Sequence, residues 1–172
     1  MELIKNIRRI IIIFLLRRKK SDKKNRTPIS LHAAKKIGIL FSAENLNNNN
    51  VVIEFAQHLK SLQKEVQLLG YISKRDFGFQ YPFPLISDKE TTWYGKPASE
   101  ASVIFMRSPF DLMINFSVEE CLPLEYITAV SPATFRVGYN KELENANYDL
   151  ILIPKENNDI SNLILNLEKY LK

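Results

Sequence analysis

The chain has 172 residues with 45% apolar and 25% charged side chains, ordinary proportions for one globular domain plus an extension. Its single cysteine, Cys121, excludes an internal disulfide framework and fits a reducing compartment. The net charge of +5 is unevenly spread: residues 1–36 carry 12 Lys or Arg against 2 acids, and residues 37–172 carry 12 against 17, so the body is mildly acidic and excludes broad nucleic-acid binding by itself.

Residues 1–20 read as a basic amphipathic helix. Leu3, Ile7, Ile10 and Phe14 share a face, with Ile4, Ile11 and Leu15 beside it, while Ile12, Ile13 and Leu16 fall toward the polar side. The unbroken apolar run, Ile10 to Leu16, covers about 10 Å at helical rise, against roughly 30 Å of bilayer core, which argues against a membrane span. Arg17-Arg18-Lys19-Lys20 stands where a signal peptide would have its small-residue cleavage site. The pattern predicts an interfacial helix. Leu3, Ile7, Ile10 and Phe14 would enter the acyl boundary, and Arg8, Arg9, Arg17, Arg18, Lys19 and Lys20 would lie among anionic groups. Ribosomal RNA is the other anionic partner such a segment suits.

A basic linker over 21–35 leads into an α/β domain over 36–172. Lys36–Phe41 reads as the first strand, and Asn49 or Asn50 as the cap of a helix burying Val51 or Val52, Phe55, Leu59 and Leu62. The turn between them has no glycine, so neither a G-x-G-x-x-G turn nor a P-loop is present. Glu65–Ile72 is the second strand. Residues 73–97 read as irregular, with an aromatic face in which Phe79, Phe83, Trp93 and Tyr94 form either a flap on the sheet edge or a surface for a sugar, a base or a partner protein. A short helix after Pro97 is expected to turn Ala101, Ile104 and Phe105 inward.

Phe110 to Gly138 then reads as strand, turn, helix, strand. Leu112-Met113-Ile114 fits a strand buried on both faces, Pro123 suits the first turn of a helix that Ser131-Pro132 stops, and Phe135–Gly138 is the next strand. A capping-box start at Ser117 with Glu120 would put Pro123 inside the helix and is disfavoured. Residues 139–147 are short for a parallel crossover, so the strand at 149–153 is expected to be antiparallel or at the edge. Asp159 caps a last helix with an apolar stripe through Ile160, Leu163, Ile164, Leu167 and Leu171.

Together these elements predict a three-layer α/β fold, Rossmann-like or flavodoxin-like, with a mostly parallel sheet preceded by the basic helix. Ligands of such sheets bind at the carboxyl ends of the strands, which places Ser42, Glu44, Ser117, Glu119 and Glu120 around the candidate cleft. Glu119 and Glu120 beside a helix entrance argue against a nucleotide phosphate there. The two histidines, His32 and His58, are far apart in sequence, so no metal-ligand spacing exists and neither metal nor cofactor is expected.

The basic helix, Trp93-Tyr94-Gly95-Lys96-Pro97 and the run DLMINFS…LPLEYITAVSPATFRVG resemble an uncharacterised family of short proteins from Bacteroidetes-type bacteria, a domain of unknown function. Asp111, Leu112, Ile114, Asn115 and Ser117, followed by Arg136-Val137-Gly138, are also similar to the N-terminal half of heptosyltransferase-type glycosyltransferases. Those enzymes bind the nucleotide sugar in a second Rossmann-like domain that this chain lacks. The first resemblance implies no activity; the second implies fold more than function.

The sequence therefore favours a non-enzymatic binding or scaffold protein, cytoplasmic and peripheral on the inner membrane leaflet or bound to ribosomal RNA through its N-terminal helix, with a protein partner at the aromatic segment. The alternative is a glycosyltransferase-like enzyme or half-enzyme on a sugar substrate, with Glu44, Glu119 or Glu120 as base; no catalytic residue is assigned.

Overall fold

The computed structural model describes residues 2–18, 26–74, 80–139, 147–153 and 159–172. Lys19, Lys20, residues 21–25 of the expected linker, Phe79 and residues 140–146 lie outside the described residues.

Helix α1 (Glu2–Arg18) precedes β1 (Lys36–Ser42), α2 (Leu46–Ser61), β2 (Glu65–Ile72), β3 (Leu85–Ser87), α3 (Glu100–Arg107), β4 (Leu112–Asn115), α4 (Leu122–Val130), β5 (Phe135–Gly138), β6 (Leu150–Ile151) and α5 (Ile160–Tyr170). The strands form one sheet in the order β3-β2-β1-β4-β5-β6, every neighbouring pair parallel. This is the order of the doubly wound dinucleotide-binding fold rather than of flavodoxin, and it puts the topological switch point between β1 and β4.

Strand alternation sorts the core into two layers. Ile37, Ile39, Phe41, Leu112 and Ile114 pack with Val52, Phe55 and Leu59 of α2 and with Leu163 and Leu167 of α5. Leu40, Leu69 and Met113 face the other way, onto Phe105 of α3, Phe110, and Leu124 and Ile127 of α4. Both faces are covered, which is why the strands read as continuous apolar runs.

Several sequence expectations need correction. The cap of α2 is Asn45, whose side chain accepts from the N–H of Asn47 (2.9 Å) and Asn48 (3.3 Å). Asn49 is instead buried, donating its Nδ2 to the Ala43 carbonyl at 3.1 Å. Leu62 is exposed because the helix has already ended at it. Ile104 is exposed too, since the short α3 can bury only the side of Ser102 and Phe105. Residues 73–97 contain strand β3, whose brevity and preceding prolines hid it; it is an edge strand, where Pro82 and Pro84 do no harm. Strand β6 is at the opposite edge, one of the two expected alternatives, and it is parallel rather than antiparallel.

Helix α4 starts at Leu122 with Pro123 in its first turn, and every residue from Pro123 to Ala129 is buried. A helix between sheet and solvent buries one face; this one is also covered from outside, where Ile12 of α1 packs on Tyr126 and Ala129. Ile12, which helical periodicity put toward the polar side, is thus the docking residue, only 1% exposed.

Candidate functional site

The carboxyl ends of β1, β2 and β4 open into a cleft of about 720 Å³, within the range of small-molecule sites. All five residues predicted for it line it: Ser42, Glu44, Ser117, Glu119 and Glu120. Two predicted for a different role line it as well, Arg8 and Arg9, because α1 lies across α4 and reaches over the cleft. The sequence reading missed Tyr71 and Asp88. Tyr71 is the penultimate residue of β2, so the strand-end rule alone could have found it; Asp88 follows β3, which was itself unseen.

The charges in the cleft are largely engaged. Arg9 Nε stands 2.8 Å from Glu120 Oε1, an ion pair whose angle is too poor for a hydrogen bond. Glu44 Oε1 accepts the Ser73 N–H at 2.6 Å, and Asp88 Oδ1 accepts the Tyr71 hydroxyl at 2.7 Å. Burial, and then that bond, push the Tyr71 phenol far above its ordinary range. Burial likewise raises the Cys121 thiol well above its usual value, so at neutral pH it is protonated and a poor nucleophile. Glu119 is exposed.

Three donor atoms in the cleft are shielded from water and make no hydrogen bond: Ser117 Oγ, Arg8 Nε and Arg9 Nε. Ser117 is 3% exposed at the end of β4, ahead of α4, whose N-cap residue Cys121 makes no side-chain capping bond. Among the described residues, no three His, Cys, Asp or Glu side chains are grouped to hold a metal ion.

The predicted anionic-surface helix is divided by its docking. Leu3 (72%), Ile4 (55%), Ile7 (41%), Ile10 (66%) and Phe14 (54%) are exposed. Arg8 and Arg9 turn toward the body instead of lying beside that stripe. Arg17 and Arg18 close the helix.

The predicted aromatic surface also divides. Phe83 is core, edge-on to Phe41 at 4.9 Å, because Gly70 leaves room for its ring over the sheet. Trp93 is exposed and edge-on to Tyr94 at 5.6 Å, in a turn that Gly95 completes at φ +91°. Tyr94 packs on the cluster of Ile12, Tyr126 and Ala129, so Trp93 lies one ring away from the seat of α1. Two features far apart in sequence thus meet on one side of the molecule.

A comparison with curated proteins finds no match. Residues 8–172, nearly the whole chain, match DUF6913, and the protein therefore belongs to this family of unknown function.

Proposed function

We propose that this is a non-enzymatic binding protein whose Rossmann-like body is held against an anionic lipid surface by the outward face of α1. The observation that carries the reading is the orientation of the helix. A surface helix ordinarily buries its apolar stripe and exposes its charges. Here Leu3, Ile4, Ile7 and Ile10 point outward while Arg8 and Arg9 face the cleft. Taking a Leu or Ile side chain fully out of water is favourable by about 1.5–3 kcal/mol. Leaving several exposed side by side marks a face that meets another apolar phase.

Charge selects the phase. The run Arg17 to Lys20 closes the segment, and each basic residue near an anionic bilayer contributes about 1 kcal/mol. RNA fits the face less well, since RNA recognition needs exposed cations and this arc presents aliphatic side chains. At 17 residues, α1 spans about 26 Å, and no described helix is long and apolar enough to cross a membrane. The geometry suits a helix lying in the interface.

Trp93 is the chain's one tryptophan and sits beside the seat of α1, so it reports on the contact. Its fluorescence should shift to the blue when vesicles containing phosphatidylglycerol are added, and should stay put with phosphatidylcholine alone. An unchanged spectrum with both would count against lipid at this side of the molecule.

A further inference from the structure

The cleft at the switch point has a feature that the lipid reading does not use: donors buried without acceptors. We propose that it binds a polyol phosphate, a small hydroxyl-rich molecule carrying one phosphate group, with the phosphate held by Ser117, Arg8 and the N-terminus of α4.

Ser117 is 3% exposed, and its Oγ has no hydrogen-bond partner within the protein. A buried hydroxyl in that condition is unfavourable, so one lining a cleft points to a group that completes it. The Nε of Arg8, which also lines the cleft, stands in the same condition. Helix α4, nine residues long, begins at the same cleft with the positive end of its dipole toward it. Unpartnered donors and a positive helix end at one cleft select an acceptor-rich anion.

The carboxylates shape the rest of the ligand. Glu120, which in sequence looks set to repel an anion, is paired with Arg9, and Glu119 is exposed to solvent. Glu44 and Asp88 stand with Ser42 and Tyr71 near the ends of β1 and β2 and retain acceptor capacity toward hydroxyl donors. A dinucleotide is disfavoured, because the β1–α2 turn has no glycine and its helix is already capped by Asn45. A volume of about 720 Å³ accommodates a monosaccharide phosphate.

The same chemistry is available from a free sugar or glycerol phosphate and from a phosphatidylglycerol headgroup. The proposal does not depend on the lipid reading, since α1 supplies Arg8 whether or not its outer face meets a bilayer.

The test is isothermal titration of the full chain at low ionic strength with inorganic phosphate, glycerol 3-phosphate and glucose 6-phosphate, together with vesicles containing phosphatidylglycerol. Saturable binding of at least one organic phosphate, tighter than inorganic phosphate, is expected. Ser117→Ala and Arg8→Gln should each weaken it by about tenfold or more, the effect of losing a hydrogen bond to a charged group. If the headgroup is the source, the same two variants should weaken vesicle binding; if a free phosphate is the source, vesicle binding should be unaffected. Circular dichroism checks that each variant folds, and Arg8→Gln, on the peripheral helix, keeps the test valid if Ser117→Ala does not. No saturable binding of any phosphate or vesicle, binding indifferent to both substitutions, or inorganic phosphate binding as tightly as the organic ones would overturn the proposal.

Discussion

Gly138→Ala should destabilise the protein by about 3 kcal/mol or more, an unusually large effect for one added methyl group. A Cβ at this position of β5 would overlap Cε1 of Tyr148 and stand 2.6 Å from its Cδ1. Rings often swing away from such a clash, but this one is held. Tyr148 is 6% exposed; its hydroxyl donates to Glu125 Oε1 at 2.7 Å and accepts from Asn115 Nδ2 at 2.9 Å. Burial, reinforced by the Glu125 carboxylate, raises the phenol well above its ordinary value, so it stays a neutral donor. Displacing the ring would leave Asn115, on β4, and Glu125, on α4, short of a partner at 1% exposure each. Two costs therefore add, steric overlap and a buried polar network left incomplete. Urea unfolding of Gly138→Ala in the wild-type and Tyr148→Ala backgrounds separates them from a loss intrinsic to the strand. Without the ring, the glycine substitution should cost less than about 1 kcal/mol; equal costs in both backgrounds would refute the account.

Arg136→Met should cost about 2–4 kcal/mol, although it replaces a buried charge by a flexible apolar side chain. Arg136 projects from β5 at 1% exposure to the C-terminal end of α4. There it donates Nη2 to the Ser131 carbonyl and Nη1 to that of Ala129 (3.4 Å), and Nη1 also reaches the Asn147 carbonyl ahead of β6 (3.5 Å). The last carbonyls of a helix lack intrahelical donors and carry its negative dipole end, so a cation belongs here. Burial and the neighbouring Arg26 lower the guanidinium pKa to about 10, which leaves it charged at neutral pH. Swapping a buried ion pair for apolar residues can be neutral when both partners are replaced. Here the acceptors are backbone and remain, so the desolvation penalty falls on them. Arg136→Lys should recover only part of the loss, because an ammonium lacks the planar fork that reaches several carbonyls. A methionine variant with a wild-type urea midpoint would show that those carbonyls find other donors.

These two residues also explain how a sequence pattern can announce a fold without announcing a function. The pattern shared with heptosyltransferase-type enzymes consists largely of positions with structural work in this chain. Asp111 accepts the N–H groups of Lys35 (2.8 Å) and Lys36 (2.9 Å), fastening the start of β1. Asn115 joins β4 to α4 and Tyr148, Arg136 closes α4, and Gly138 makes room for Tyr148. Ser117 is the exception, with no partner for its hydroxyl.

The parallel strands were legible because both faces are buried and each run is apolar throughout. The cleft was legible in part because strand order places it at the strand ends. Strand β3 was not, being three residues long behind two prolines. Nor was the side that α1 presents to the body, since periodicity gives a helix a face but no partner. Tyr126 and Ala129 on α4 needed covering, and Ile12 rather than the Leu3–Phe14 stripe covers them. That choice leaves the stripe outward and brings two arginines to the cleft.

Cosedimentation with lipid vesicles tests the central claim most directly. Wild-type protein and an Ile7→Asp, Ile10→Asp variant would be spun with vesicles containing phosphatidylglycerol and with neutral phosphatidylcholine vesicles, at low and high salt. Both substituted side chains are exposed and make no part of the seat of α1, so the fold should survive. The account predicts that wild type pellets with the anionic vesicles, less so as salt screens the basic run, and that the variant stays in the supernatant. Wild type and variant recovered equally in the supernatant, or equally in the pellet, would contradict it.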